Sequence, residues 1–299
     1  MKYRYYTCDV FTETRFGGNP LAVLPQAEGL SDQQMQKIAR EFNFSETSFV
    51  FPPKSGHTRQ VRIFTPASEI PFAGHPNVGT AFVLASTGEF GEIRSSREVI
   101  FEEKAGLVSI TIQEAQGKIV SCELAAPQTL SLGKTIPAKL AAAALSLNPE
   151  DIVTKTHDPQ IASVGLPFLF TELKDLSALE RARANGPGIE ALLAEDIRPS
   201  MYLYTRGPEP TDVRARMFAP LSGVPEDPAT GSAGCAVAGL LTHFAEQSSG
   251  AFRYRIIQGV EMGRPSTLLA RAQKNAGKVE ATWIGGACVL ISEGQFYVE

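Results

Sequence analysis

This chain has no surplus of basic residues, no paired cysteines and no long apolar runs, and each absence removes a class of function. Lys and Arg number 28 against 32 Asp and Glu, giving a net charge of −4. With no basic face to offer, nucleic acid and acidic membranes are not expected partners. The four cysteines, Cys8, Cys122, Cys235 and Cys288, are far apart and form no C-x-x-C pair. Neither a zinc site nor a disulfide framework is expected, and the thiols read as reduced core residues. No apolar run approaches the roughly 18 residues that span a bilayer, so no membrane association is expected. The opening Met1-Lys-Tyr-Arg-Tyr-Tyr-Thr-Cys-Asp9 lacks the apolar core of a signal peptide, which makes the cytoplasm the expected compartment. The Gly17-Gly18 turn and Thr230-Gly-Ser232 fit neither a Walker loop nor a G-x-G-x-x-G fingerprint, and no cofactor is expected.

What is present is a statement made twice. Arg62-Ile-Phe-Thr-Pro-Ala-Ser-Glu-Ile-Pro71 recurs as Arg216-Met-Phe-Ala-Pro-Leu-Ser-Gly-Val-Pro225 at one fixed offset. Each runs on into a Pro/Gly-rich turn and then a stretch of Gly, Ala, Val and Leu with almost no charge, the two copies spanning residues 71–84 and 225–238. A skeleton of that length repeated in register marks an internal duplication. The 299 residues suit two domains of about 150 each. The expected halves are 1–127, joined by a C-terminal strand at 286–299, and 128–285, with the crossing in the polar stretch 127–137.

Both repeated stretches predict helices apolar on every side, which are buried helices. Their first turns then present backbone N–H groups and the positive end of the dipole inside the protein, at the turns carrying His75 and Asp227. Such a place suits an anion, and helix starts near Asn77 and Ser232 are expected to bind a substrate carboxylate. Elsewhere, residues 2–11 and 21–24 read as strands, and Ser31-Asp-Gln-Gln34 as a capping box. Met35, Ile38, Ala39 and Phe42 then form the apolar face of an outer helix. That helix ends before Glu46, which falls at a helix-to-strand junction ahead of a strand at 47–51. The second half predicts a helix at 138–147, another after Leu176-Ser177, and a strand around Tyr202-Leu-Tyr204. Arg198-Pro-Ser200 stands at the counterpart of Glu46, without a carboxylate.

Polar residues set in apolar or glycine-rich surroundings are the candidates for chemistry: Glu46, His75, Asp227 and Ser232. A loop glutamate, a turn aspartate and a helix-cap serine would explain three of them without function. His75, between Gly74 and Pro76, resists that explanation. A Ser-His-Asp hydrolase is conceivable, but the G-x-S-x-G elbow is missing, and Ser232 in a buried first turn is better placed to bind than to attack. If the halves face each other about a pseudo-dyad, the turns of His75 and Asp227 meet in one cleft. A non-catalytic protein holding a small carboxylate there is the alternative to an enzyme.

Gly17-Gly-Asn-Pro-Leu-Ala-Val23, Phe44-Ser-Glu-Thr47, Phe72-Ala-Gly-His-Pro76 and Glu226-Asp-Pro-Ala-Thr-Gly-Ser232 together resemble the signature of the PhzF family of phenazine-biosynthesis-like isomerases. The resemblance runs over nearly the whole chain. It implies the diaminopimelate epimerase-like α+β fold, two pseudo-symmetric halves each with a mixed sheet wrapped around a central helix. It also implies a cofactor-independent isomerase that moves a proton between carbons of a small cyclic or conjugated carboxylate, and a homodimer. Glu46 would carry the proton, His75 and Asp227 would polarise the substrate, and Ser45, Gly74, Asn77, Gly231 and Ser232 would hold it. The wider superfamily uses one cysteine from each half, yet Ala73 and Pro228 occupy those two positions here. A two-thiol racemase is therefore not expected.

Overall fold

The computed structural model describes all residues except 199 and 208–210, so Pro199, within the expected counterpart of Glu46, lies outside the described residues. The chain divides into two compact units, one comprising Met1–Pro127 and Ile284–Glu299, the other Gln128–Trp283.

The first unit runs β1 (Lys2–Val10), β2 (Asn19–Leu24), α1 (Asp32–Phe42), β3 (Glu46–Phe51), β4 (Arg59–Phe64), β5 (Glu69–Ile70), α2 (Gly74–Ser86), β6 (Ser96–Glu103), β7 (Gly106–Ala115) and β8 (Lys118–Ala125). The last strand of the chain, Cys288–Tyr297, pairs antiparallel with β1, which pairs antiparallel with β2. The β2–β3 pair is parallel, β3–β4 antiparallel, β4–β6 parallel, and β6, β7 and β8 form an antiparallel meander. α2 is the core of this unit, with every residue from Gly74 to Ala85 buried. Its uniformly apolar composition leaves no face that prefers water, so the sheet closes around it. Gly79 sets the closeness of that fit: a Cβ there would lie 2.6 Å from both Leu21 Cδ2 and Val10 Cγ2. α1 instead shows one apolar face, burying Met35, Ile38 and Ala39 against Leu24, Phe49 and Phe64. The capping box of Ser31 and Gln34 starts it, and Asn43 in the left-handed region (φ 53°) ends it.

The second unit repeats the scheme. It contains β9 (Ser131–Thr135), α3 (Ala138–Ala144), β10 (Gln160–Ser163), β11 (Pro167–Glu172), α4 (Leu176–Arg181), α5 (Gly186–Ala194), β12 (Met201–Arg206), β13 (Val213–Ala219), β14 (Val224–Asp227), α6 (Gly231–Phe244), β15 (Gly250–Gln258), β16 (Ser266–Asn275) and the larger part of β17 (Lys278–Gly286). β10–β11 is antiparallel, β11–β12 parallel, β12–β13 antiparallel and β13–β15 parallel, matching β1–β2, β2–β3, β3–β4 and β4–β6 in order. α6 is buried along nearly its whole length, as α2 is. The repeated arginines also act alike. Arg62 makes a two-pronged pair with Glu69 at 2.8 and 2.7 Å. Arg216 does the same with Glu226 at 2.8 and 2.9 Å. Each ties a sheet strand to the short strand that leads into the central helix.

Several local expectations are corrected. The polar stretch 127–137 is not only a crossing, because Ser131–Thr135 pairs with β10 as a strand. Leu176 lies inside α4, whose cap is Asp175 accepting from Ala178 N–H, and α5 has no expected counterpart. The helix expected at 138–147 stops at Ala144. The central helices start at Gly74 and Gly231, earlier than the starts read near Asn77 and Ser232. A proline is tolerated in a first turn, where its missing N–H has no intrahelical partner to lose, so Pro76 does not delay α2.

Candidate active site

The polar cluster of the first unit is assembled from three elements. The parallel pairing of β2 and β3 sets Leu21 opposite Glu46, which is the first residue of β3 rather than part of a preceding junction. His75 is the second residue of α2 and is 4% exposed. Its Nε2 lies 3.4 Å from Glu46 Oε2. On the other side of the ring, the Asn19 amide nitrogen lies 3.3 Å from His75 Nδ1. A neutral imidazole carries one N–H: on Nε2 it faces Glu46 and leaves Nδ1 to accept from Asn19, and on Nδ1 it can donate to the Pro20 carbonyl.

Burial pushes the His75 pKa down to about 3, against a smaller upward pull from the Pro20 carbonyl. At neutral pH the ring is uncharged, so its contact with Glu46 is not an ion pair. The turn that presents Asn19 allows no alternative to glycine at position 18. Gly18 has φ +61°, and a Cβ would lie 2.3 Å from the Val10 carbonyl oxygen. Asp9 Oδ2 accepts from Phe16 N–H at 2.7 Å and fastens the same loop.

Gly74 and Asn77 belong to the buried first turn of α2, where Asn77 Nδ2 donates to the Ala73 carbonyl at 2.9 Å. Ala73 is the N-cap residue, and the helix has neither a side-chain cap nor an acidic first turn. Ser45 precedes Glu46 and is half-buried.

In the second unit Asp227 ends β14 and is 6% exposed. It accepts from the Thr230 hydroxyl at 2.5 Å. Gln258 braces the turn, donating to the Asp227 carbonyl at 2.8 Å and accepting from Thr230 N–H at 3.2 Å. Gly231 and Ser232 open α6, again with no side-chain cap and no acid in the first turn. The structure thus gathers Glu46, His75, Asn19, Gly74 and Asn77 in one unit, and Asp227, Gly231 and Ser232 with Thr230 and Gln258 in the other. Asn19, Thr230 and Gln258 were not singled out from sequence. The Gly-Gly-Asn-Pro turn was a usable signal for Asn19, while Gln258 lies some thirty positions beyond the turn it supports and left none.

Cys8, Cys122 and Cys235 are buried. Burial raises Cys8 and Cys122 well above the ordinary thiol range and pushes Cys288 up to about 12. Among the described residues no three His, Cys, Asp or Glu side chains gather as metal ligands would. No described helix is long and apolar enough to cross a membrane.

The family model for phenazine biosynthesis-like proteins matches residues 8–294. An uncharacterized isomerase of Mesorhizobium japonicum is 38% identical, the alignment covering 98% of each chain. The trans-2,3-dihydro-3-hydroxyanthranilate isomerase of Pseudomonas aeruginosa is 34% identical over 99% of this chain and 100% of its own. Among solved structures, a phenazine biosynthesis protein of Bacillus anthracis superposes with a TM-score of 0.89 at 24% identity, covering both chains fully.

Proposed function

The chain belongs to the phenazine biosynthesis-like family, has its diaminopimelate epimerase-like α+β fold and is an isomerase, and from that premise we propose that it moves a proton between carbons of a small cyclic or conjugated carboxylate, with Glu46 as the carrier. The observation that carries this reading is the pairing of a largely buried carboxyl group with a buried, neutral histidine. Glu46 Oε2 stands 3.4 Å from His75 Nε2, with the Glu46 side chain 18% and the His75 side chain 5% exposed. Taking a proton from carbon requires a base, and it leaves negative charge on the substrate that needs donors nearby. A neutral His75 can donate from Nε2 without first needing a proton from solvent, and the uncapped start of α2 adds its dipole.

Asp227, held by Thr230 and Gln258, is proposed to polarise the substrate from the second half, with Ser45, Gly74, Asn77, Gly231 and Ser232 as binding contacts. The mechanism is a one-carboxylate shuttle: Glu46 accepts a C–H proton, the substrate's electrons delocalise toward its carboxylate, and the same acid returns the proton to another carbon. The protein is further proposed to work as a homodimer in the cytoplasm.

The test is a screen of cyclic dienoic and amino acids for exchange of a C–H proton with deuterated solvent. One relative is named for trans-2,3-dihydro-3-hydroxyanthranilate, and that compound belongs first in the screen. Catalysed exchange supports the reading. Tight binding of a carboxylate with no exchange at any carbon would replace it with a binding function.

A further inference from the structure

The first turn of α2 has an acidic neighbour that the proposed reaction does not use. β6 ends in Glu102 and Glu103, and adjacent strand residues face opposite ways. Glu102 turns to the loop ahead of β4, accepting from the N–H groups of Lys54, Ser55 and His57 at 2.7, 2.8 and 3.2 Å. Glu103 turns the other way. Both its carboxyl oxygens are buried, and neither has a hydrogen-bond partner of ordinary geometry. The β6–β7 hairpin is fastened to the chain just before α2, since Ala105 N–H donates to the Pro71 carbonyl at 3.1 Å. The side chain that reaches Glu103 is the amide of Asn77. Asn77 is itself fully buried, its Oδ1 also lacks a partner, and its Nδ2 holds the Ala73 carbonyl. A continuous line therefore runs from Glu103 through Asn77 to the residue that caps α2, two positions before His75.

We propose that Glu103 is a positioning residue of this isomerase, acting through Asn77 on the turn Ala73-Gly74-His75 and so setting the histidine ring on Glu46. This rests on the reading of His75 as the donor to the substrate. Lys104 lies 2.6 Å from Glu69, which Arg62 also holds. Glu102 caps its loop, and His75, the one titratable residue of α2, is neutral. Burial lifts the Glu103 pKa to about 8, against a smaller downward pull from the Asn77 amide. Below that pH Glu103 is a neutral acid. Above it, an unbalanced charge sits beside Asn77, and the turn must rearrange to solvate it.

The experiment follows the ring signals of His75 by NMR in histidine-labelled protein from pH 6 to 9.5, assigned by loss in His75→Gln. No substrate is needed, so the outcome does not depend on whether the exchange screen finds one. The parent should show a shift of the His75 signals with a midpoint near 8, which cannot be the ring's own titration. Glu103→Gln should abolish that midpoint and keep the signals at their low-pH positions, because an amide mimics the neutral acid. Glu103→Ala should displace them at every pH; if that variant does not fold, the Gln variant decides alone. Once an exchange substrate is known, the parent rate should fall about tenfold by pH 9, where roughly one molecule in ten keeps the proton, and the Gln variant should hold its rate. Absence of the midpoint in the parent, or its persistence in Glu103→Gln, overturns the proposal.

Discussion

At the scale of single residues the question is which group holds the proton in transit. Glu46 can accept and return one; His75, neutral down to a pKa of about 3, is a donor that would need strong acid to become charged. Replacing Glu46 by Gln keeps the size and most hydrogen bonding but removes the base. With a substrate from the exchange screen, Glu46→Gln should bind within a few-fold of the parent while deuterium incorporation falls by at least about 10². Near-parent exchange would move the base to another residue. His75 has a second consequence, for stability. Its folded pKa lies below the unfolded 6.5, so as pH falls between those values the unfolded chain takes up a proton that the folded chain refuses. Stability should therefore drop from about pH 6.5 toward pH 3, by up to a few kcal/mol from this residue. Urea midpoints should decline less steeply over that window in His75→Gln. Residue-level legibility was uneven for a physical reason. Glu46 and His75 stood out because a carboxylate and an imidazole were set among glycine, proline and apolar residues. Glu102 and Glu103 carry no such mark, because strand alternation says that one of two adjacent acids points inward without saying which.

At the scale of elements, the two central helices carry most of what could be read in advance. Uncharged runs following a repeated Arg-x-Phe-x-Pro skeleton do become buried helices, α2 and α6, and the capping box at Ser31 does start α1. Strand order was less legible, since pairing is decided by partners far along the chain. The antiparallel pairing of Cys288–Tyr297 with β1 joins the two ends of the sequence. Short helices such as α5 escaped because Asn185-Gly-Pro-Gly188 reads as a turn, yet Asn185 is an N-cap that accepts from Gly188 N–H. The two helices differ in how tightly they pack. A Cβ at Gly79 of α2 would meet Leu21 and Val10 at 2.6 Å, whereas one at Gly239 of α6 would meet Thr282 and Leu130 at 3.2 and 3.3 Å. Gly79→Ala forces side chains of β1 and β2 out of place and should cost about 1–3 kcal/mol, beyond what alanine's helix propensity returns. Gly239→Ala needs only a few tenths of an ångström and should fall within about 1 kcal/mol of the parent. Chemical denaturation of the pair checks this, and equal costs would mean the packing difference is absent.

At the scale of the whole molecule, duplication has preserved the frame and not the chemistry. The order of parallel and antiparallel pairs is the same in both units, as are the arginine pairs Arg62–Glu69 and Arg216–Glu226. The polar residues at the helix starts are not the same: one unit offers Glu46 and His75, the other Asp227 and Thr230. A symmetric acid–base pair, one equivalent group from each half, is what a two-thiol racemase would need. This chain has Ala73 at the cap of α2 and Pro228 directly after Asp227, the two positions where the resemblance to that superfamily leads one to expect thiols. Its real cysteines are poor substitutes, because a thiol acts as base or nucleophile only when ionised. Burial holds Cys8 and Cys122 far above neutral pH, and Cys288 at about 12. Turnover should then survive the loss of every sulfur. A variant with all four cysteines replaced by Ala or Ser should keep its exchange rate within about threefold of the parent, once far-UV circular dichroism shows the fold intact. It should nonetheless unfold at lower urea, because Cys8, Cys122 and Cys235 fill buried positions whose truncation leaves small cavities. A loss of more than tenfold in rate with the fold preserved, about 1.4 kcal/mol of barrier, would return a thiol to the mechanism and with it the two-base scheme that the unequal halves argue against.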